Sequence, residues 1–230
     1  MKNKALRTVF LDTLPVLAGY LFLGMGFGIL LAESGKGVVW AFFMSLFVFA
    51  GSGQYLAVSL MTSGASLISA AIATFLVNAR HIFYGISLVD TYKNAGKKKP
   101  YMIFGLTDET YSLVTQNQPP EGLTRHQYCF LVTMFDHVYW ILGCVLGNLA
   151  GTLIPINYQG VEFVLTALFV TLFVEQWLSS KSHLPALIGA GSTILCLAIF
   201  GSEIFLIPSM ALIAVLLTIT RKTGRRKSDA

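Results

Sequence analysis

Arg80 stands between Asn78 and His81 inside an otherwise apolar stretch, Ala65 to Val89, that is long enough to cross a bilayer. A charge at the centre of a membrane helix costs about 2.5–3.5 kcal/mol on insertion scales, so such residues face a bundle interior or an aqueous cavity. There Arg80, with Asn78, could bind a carboxylate or neutralise an acidic neighbour, and His81 could relay protons near neutral pH. The competing reading ends the span at Val77 and lets Arg80 snorkel to the interface. Asp136-His137 puts a carboxylate and an imidazole ten residues into another apolar segment, and Glu175-Gln176 closes a further one. Intramembrane carboxylates are natural partners for an ammonium group or a transported proton; the structural alternative for Asp136 is an ion pair with Arg80. Thr107-Asp108-Glu109-Thr110 adds two adjacent carboxylates, which on a helix point about 100° apart and need not serve one ligand. A solvated loop, or a helix capped by Thr107, would also use them. Gly51-Ser52-Gly53-Gln54, following Phe49-Ala50, carries no charge, but its glycines weaken a helix at mid-segment. The N–H groups of a new helix start favour an anion such as an amino-acid carboxylate, whereas a small-residue packing seam would employ the same residues. Tyr84, with Tyr20 and Tyr55, could line an apolar substrate pocket.

The elements that must position these groups are membrane helices. Of 230 residues, 55% are hydrophobic and 12% charged, and the mean hydropathy is +0.69, far from a soluble domain. Runs long enough to span, roughly 17–25 residues each, read as Phe10 to Ala32, Val38 to Met61, Ala65 to Val89, Gln127 to Leu153, Gly160 to Leu178, Leu184 to Gly201 and Glu203 to Thr220. These seven segments, without alternating ten-residue strands, predict an all-α polytopic helix bundle rather than a β-barrel. Asp12 and Pro15 suit a helix start in the first.

The 16 Lys and Arg against 11 Asp and Glu do not mark a nucleic-acid binder, because apart from Arg80 they gather at segment ends. The clusters are Lys2, Lys4 and Arg7, then Lys93 and Lys97 to Lys99, then Arg221, Lys222, Arg225, Arg226 and Lys227, as retention of basic loops in the cytoplasm produces. This puts the C-terminus in the cytoplasm. The first apolar run is too long for a cleaved signal peptide. Cys129, Cys144 and Cys196 lack paired spacing, so no disulfide framework, metal site or cofactor is expected.

The chain reads as one membrane domain, 1–230, with candidate halves at 8–90 and 127–201, a connecting region at 91–126 and a last helix at 203–220. If both termini and the Lys97 to Lys99 loop are cytoplasmic, three simple spans cannot join the first two. Either an early segment is broken and re-entrant, at Gly24 to Gly28 or at Gly51 to Gln54, or the 101–116 stretch crosses. A weak echo supports two halves: Asp12 precedes Gly19 by seven residues, as Asp136 precedes Gly143, and secondary transporters are often built from repeats with discontinuous helices.

The order and spacing of Pro15-Val16-Leu17-Ala18-Gly19 with Gly24, Gly26 and Gly28, of Phe49-Ala50-Gly51-Ser52-Gly53-Gln54, of Asn78-Ala79-Arg80-His81 and of Thr107-Asp108-Glu109 together resemble the AzlC family, the large permease subunit of branched-chain amino acid exporters. The resemblance covers nearly the whole chain. Where many relatives look like Gly-Ala-Gln in the second motif, this chain has Gly51-Ser52-Gly53-Gln54. It implies export of leucine, isoleucine, valine or other hydrophobic amino acids across the bacterial cytoplasmic membrane, together with a small AzlD-like membrane subunit. The residue roles come from the chemistry of the side chains and not from the resemblance: Gly51, Ser52, Gly53, Gln54, Asn78, Arg80 and Tyr84 are the expected substrate-binding residues, and His81, Asp108, Glu109, Asp136 and His137 the expected carriers of the coupling proton or the counter-charge. No P-loop is present, so the expectation is a secondary transporter coupled to protons, not an enzyme. Two rivals are a passive channel and an intramembrane serine protease, the latter because Gly51-Ser52-Gly53 superficially resembles a rhomboid nucleophile motif, with His81 or His137 as base.

Overall fold

The computed structural model describes residues 2–153, 167, 170, 173–174, 177–178, 180, 182–205, 208–209, 211–213 and 215–220. Glu175 and Gln176, singled out by their position at a segment end, lie outside the described residues. Every regular element among those described is helical: α1 (Lys2–Glu33), α2 (Val38–Phe47), α3 (Gly51–Thr62), α4 (Leu67–Asn78), α5 (Arg80–Tyr92), a 3₁₀ turn (Gly96–Lys98), α6 (Lys99–Phe104), α7 (Asp108–Gln116), α8 (Arg125–Leu153) and α9 (Leu184–Ile204). They fall into two compact units, Met1–Leu168 and Phe169–Ala230.

This is an all-α membrane helix bundle. Three helices are long and apolar enough to cross a bilayer, Lys4–Glu33, Arg125–Leu153 and Leu184–Gly201, and a fourth span is made if Leu67–Phe75 and Arg80–Tyr92, bent by 47°, count as one. Phe22, Phe83 and Leu153 are each more than 70% exposed, a cost a water-facing surface avoids and lipid removes. The segments read from the sequence map onto α1, α2 with α3, α4 with α5, α8 and α9; the Gly160 to Leu178 segment and the last segment fall largely or partly outside the described residues.

The first unit is organised on α1 against α8. Lipid tails are as apolar as leucine, so helices in a membrane gain association energy by close backbone approach at small residues. Gly24, Gly28, Gly143, Gly147 and Gly151 form that approach: a methyl group on Gly24 would sit 3.0 Å from Gly143 Cα, and one on Gly143 would sit 2.6 Å from the Tyr20 carbonyl oxygen. Asn148 Nδ2 fixes the end of the seam by donating to the carbonyls of Gly28, at 3.1 Å, and Lys36, at 2.9 Å.

Two expectations about α1 are corrected. Gly24 to Gly28 does not break the helix, which runs from Lys2 to Glu33, because those glycines are spent on the facing backbone of α8. Nor does a helix begin at Asp12 and Pro15: Pro15 lies inside α1, and Asp12 accepts a hydrogen bond from the Tyr128 hydroxyl at 3.2 Å. The 101–116 stretch is also not one helix. Gly105 to Thr107 divide it into α6 and α7, each too short to cross alone.

The second hydrophobic segment is broken as its glycines suggest. α2 ends at Phe47 and α3 starts at Gly51, with Phe49 at φ 39°, a left-handed conformation uncommon outside glycine. The third is broken too, between Asn78 and Arg80, where the sequence offers neither glycine nor proline.

Candidate functional site

Three helix starts supply the charged centre. Arg80 is the first residue of α5, Asp108 the first of α7 and Ser52 the second of α3. Arg80 Nη1 lies 2.6 Å from Asp108 Oδ2, and its Nη2 donates to Ser52 Oγ at 3.1 Å. The counter-charge of Arg80 is therefore Asp108, not Asp136. The pair is neither surface nor core, with side chains 32% and 21% exposed. A helix start carries a partial positive charge from its first N–H groups, and side chains from three such starts meet here.

The break before α3 is held open by specific partners. Gln54, fully buried, accepts at Oε1 from Trp140 Nε1 at 2.7 Å and from the Ala50 N–H at 3.3 Å. Gly51 and Gly53 start a helix and also permit close packing: an added Cβ would lie 3.4 Å from the Trp140 ring at Gly51, and 3.1 Å from Asn78 Nδ2 at Gly53. The motif thus starts a helix and also serves as a close-packing contact. On the other side of the break, His137 meets the Ser45 carbonyl of α2 through Nε2 at 3.2 Å and the Tyr101 hydroxyl through Nδ1 at 3.0 Å, and its ring lies tilted at 30° to that of Phe49, 4.3 Å between centroids.

A second polar group lies behind the ion pair. Asp136, fully buried on α8, accepts from Thr110 Oγ1 at 2.7 Å. Thr107, which caps α7 by accepting from the Thr110 N–H, donates to Thr110 Oγ1 at 3.0 Å. The Tyr20 hydroxyl of α1 lies 2.7 Å from both Thr107 Oγ1 and Glu109 Oε2. Asp108 and Glu109 thus serve different partners, as their angular separation on a helix requires. The Tyr20 ring is set by edge contacts with Phe49 and Trp140.

The remaining expected site residues are more local. Asn78 Nδ2 donates to the Thr74 carbonyl at 2.8 Å, and His81 Nδ1 faces the Asn78 carbonyl at 3.0 Å. Tyr84 stacks on Tyr111 at 4.5 Å and meets His81 edge-on. Ser52 lacks the base that a nucleophile needs within hydrogen-bond reach: its hydroxyl is bonded to Arg80, while His81 and His137 are bonded elsewhere. Gln54 Nε2, Arg80 Nε, Asp108 Oδ1 and Asp136 Oδ1 are buried polar atoms with no partner among the described residues. A buried polar atom without a partner is costly. No group of His, Cys, Asp and Glu suited to a metal occurs among the described residues.

Sequence reasoning missed Thr107 and Thr110 as connectors, gave Tyr20 only a pocket-lining role and passed over Trp140. Uncharged polar residues on separate segments give no local signal of their meeting. The α1–α8 seam did leave one, since Gly24 and Gly28, and Gly143, Gly147 and Gly151, recur at four-residue intervals.

Comparison with known proteins places these features in a family. The family profile described as AzlC protein matches residues 15–154. The branched-chain amino acid transport protein AzlC of Bacillus subtilis is 39% identical over 218 residues, covering 95% of this chain and 86% of its own. An uncharacterized membrane protein of Haemophilus influenzae is 41% identical, covering 94% and 89%. Inner membrane protein YgaZ of Escherichia coli is 27% identical over 188 residues, covering 78% and 77%. No solved structure matches.

Proposed function

This chain belongs to the AzlC family, and on that premise we propose that it transports branched-chain or other hydrophobic amino acids across the cytoplasmic membrane as a secondary exporter. In this reading it is driven by protons and forms the large subunit of a permease completed by a small AzlD-like membrane subunit. The observation that carries the reading is the Arg80–Asp108 ion pair at the meeting of three helix starts.

An amino acid at neutral pH is a zwitterion, and Arg80 with Asp108 is itself an ion pair. Substrate entering between the two side chains exchanges one ion pair for two: its carboxylate takes Arg80 and the first N–H groups of α3, and its ammonium takes Asp108. Charge stays balanced throughout, which matters because an uncompensated charge in a low-dielectric interior is expensive. Ser52 steadies the guanidinium, Gln54 Nε2 and Arg80 Nε supply spare donors, and Asn78, packed over Gly53, holds the α4–α5 bend against α3. Tyr84 borders the apolar side chain. Asp136 and Glu109 carry the coupling proton, and His81 and His137, each bonded to a backbone carbonyl beside a helix break, respond to it.

A purely structural pair predicts no such chemistry. The test is counterflow of labelled leucine in liposomes containing the chain and its small subunit, with competition by unlabelled leucine, by its amide and by its deaminated acid. Leucine competes and the two singly charged analogues do not. Equal competition by all three, or no flux of any apolar amino acid from a folded complex, removes the proposal.

A further inference from the structure

Counting protons along the buried hydroxyl chain gives a result that the individual distances do not. The chain runs Glu109 Oε2, Tyr20 Oη, Thr107 Oγ1, Thr110 Oγ1, Asp136 Oδ2, with separations of 2.7, 2.7, 3.0 and 2.7 Å. Each of the four links needs a proton between its oxygens. The three hydroxyls in the middle own one proton each. If Glu109 and Asp136 are both carboxylates, one link at hydrogen-bond distance has no proton, and two oxygen lone pairs face each other. One proton added to either end fills the chain.

The geometry points to a proton wire: Glu109 and Asp136 share a single proton, and Tyr20, Thr107 and Thr110 pass it between them. With the proton on Glu109, each group donates toward Asp136, from Glu109 to Tyr20 to Thr107 to Thr110 to Asp136. Transfer breaks the O–H bond of Glu109 and forms one on Tyr20. Tyr20 yields its proton to Thr107, Thr107 to Thr110, and Thr110 to Asp136. One proton has then left Glu109 and one has appeared on Asp136, every hydroxyl keeps one, and all four bonds point the other way. The second lone pair of Thr107 still takes the Thr110 N–H in both directions.

The wire joins unlike places. Glu109 is only partly buried, whereas Asp136 is fully enclosed, so a proton reaches the interior without opening a water path. The neighbouring ionisable groups do not compete for it: Arg80 and Asp108 neutralise each other, His137 is held between Tyr101 and the Ser45 carbonyl, and Tyr139 is bonded to Thr13. The wire rests on the transport reading for its use, but not for its existence.

Infrared difference spectra of the purified full-length protein at neutral pH test it without a substrate. The wild type shows one protonated carboxyl band, and both Glu109→Gln and Asp136→Asn lose that same band, since either amide fills the chain with its own N–H. Tyr20→Phe, which keeps the ring contacts, cuts the chain and also loses the band; Thr110→Ser retains it. Two bands, each lost with one substitution, no band, or a band unchanged in Tyr20→Phe overturns the wire. In liposomes, Tyr20→Phe loses accumulation driven by a pH gradient while leucine counterflow persists. Absence of all flux with the spectra as expected would remove the transport reading and leave the wire.

Discussion

At the residue scale, the anomaly is a guanidinium in an apolar stretch, and its explanation is a partner from another part of the chain. Arg80 is fixed by Asp108 and Ser52. If Arg80 is the proposed carboxylate ligand, Arg80→Ala abolishes transport while the protein still inserts, which a flux assay with a parallel measure of membrane-integrated protein checks. Arg80→Lys keeps the charge but loses the fork that reaches Ser52 and Asp108 together, so it recovers little flux. Removing one member of the pair strands the other. Arg80→Ala or Asp108→Ala alone lowers unfolding stability in detergent by about 1–3 kcal/mol, less than for a fully buried pair, and the double variant restores part of it. Sequence made Arg80, Asp108, Glu109 and Asp136 visible because each is a charge where charge is costly. It left Arg80's partner open between Asp108 and Asp136, because pairing across 28 residues depends on how two helices break and bend.

At the scale of elements, breaks and seams are both written in glycine, and only spacing tells them apart. Gly51 and Gly53, two apart, start α3 after the left-handed Phe49. Gly24 and Gly28, four apart, lie on one face of an unbroken α1 and meet their counterparts on α8. The sequence leaves the break open between these two glycine groups; the structure puts it at Gly51 and Gly53 and makes Gly24 and Gly28 a packing seam. Of the break between α4 and α5 the sequence offers only the alternative span end at Val77, because Asn78-Ala79-Arg80 contains no helix breaker; Arg80 and Asn78 contact α7 and α3 there. The seam makes a sharp comparison. A methyl group at Gly143 meets the α1 backbone, whereas Gly19 has open space around it. Gly143→Ala costs about 1–3 kcal/mol through overpacking, and Gly19→Ala is close to neutral, as thermal unfolding of the two variants in detergent would show. The hydroxyl wire belongs to this scale as well, since α1, α7 and α8 each contribute to it.

At the scale of the whole molecule, the helix bundle and the family were readable from hydropathy and from the order of four motifs, while the ion-pair centre needed three dimensions. Apolar residues, mean hydropathy and basic segment ends report the solvent, which is lipid, but they do not say which interrupted helices meet. In the proposed mechanism the amino-acid zwitterion binds at the Arg80–Asp108 centre, formed where α3, α5 and α7 begin. Counterflow of labelled leucine by the reconstituted two-subunit complex, wild type beside Arg80→Ala at equal inserted protein, tests this most directly. Saturable exchange is expected in the wild type and none above protein-free liposomes in the variant. Undiminished exchange by Arg80→Ala would contradict it.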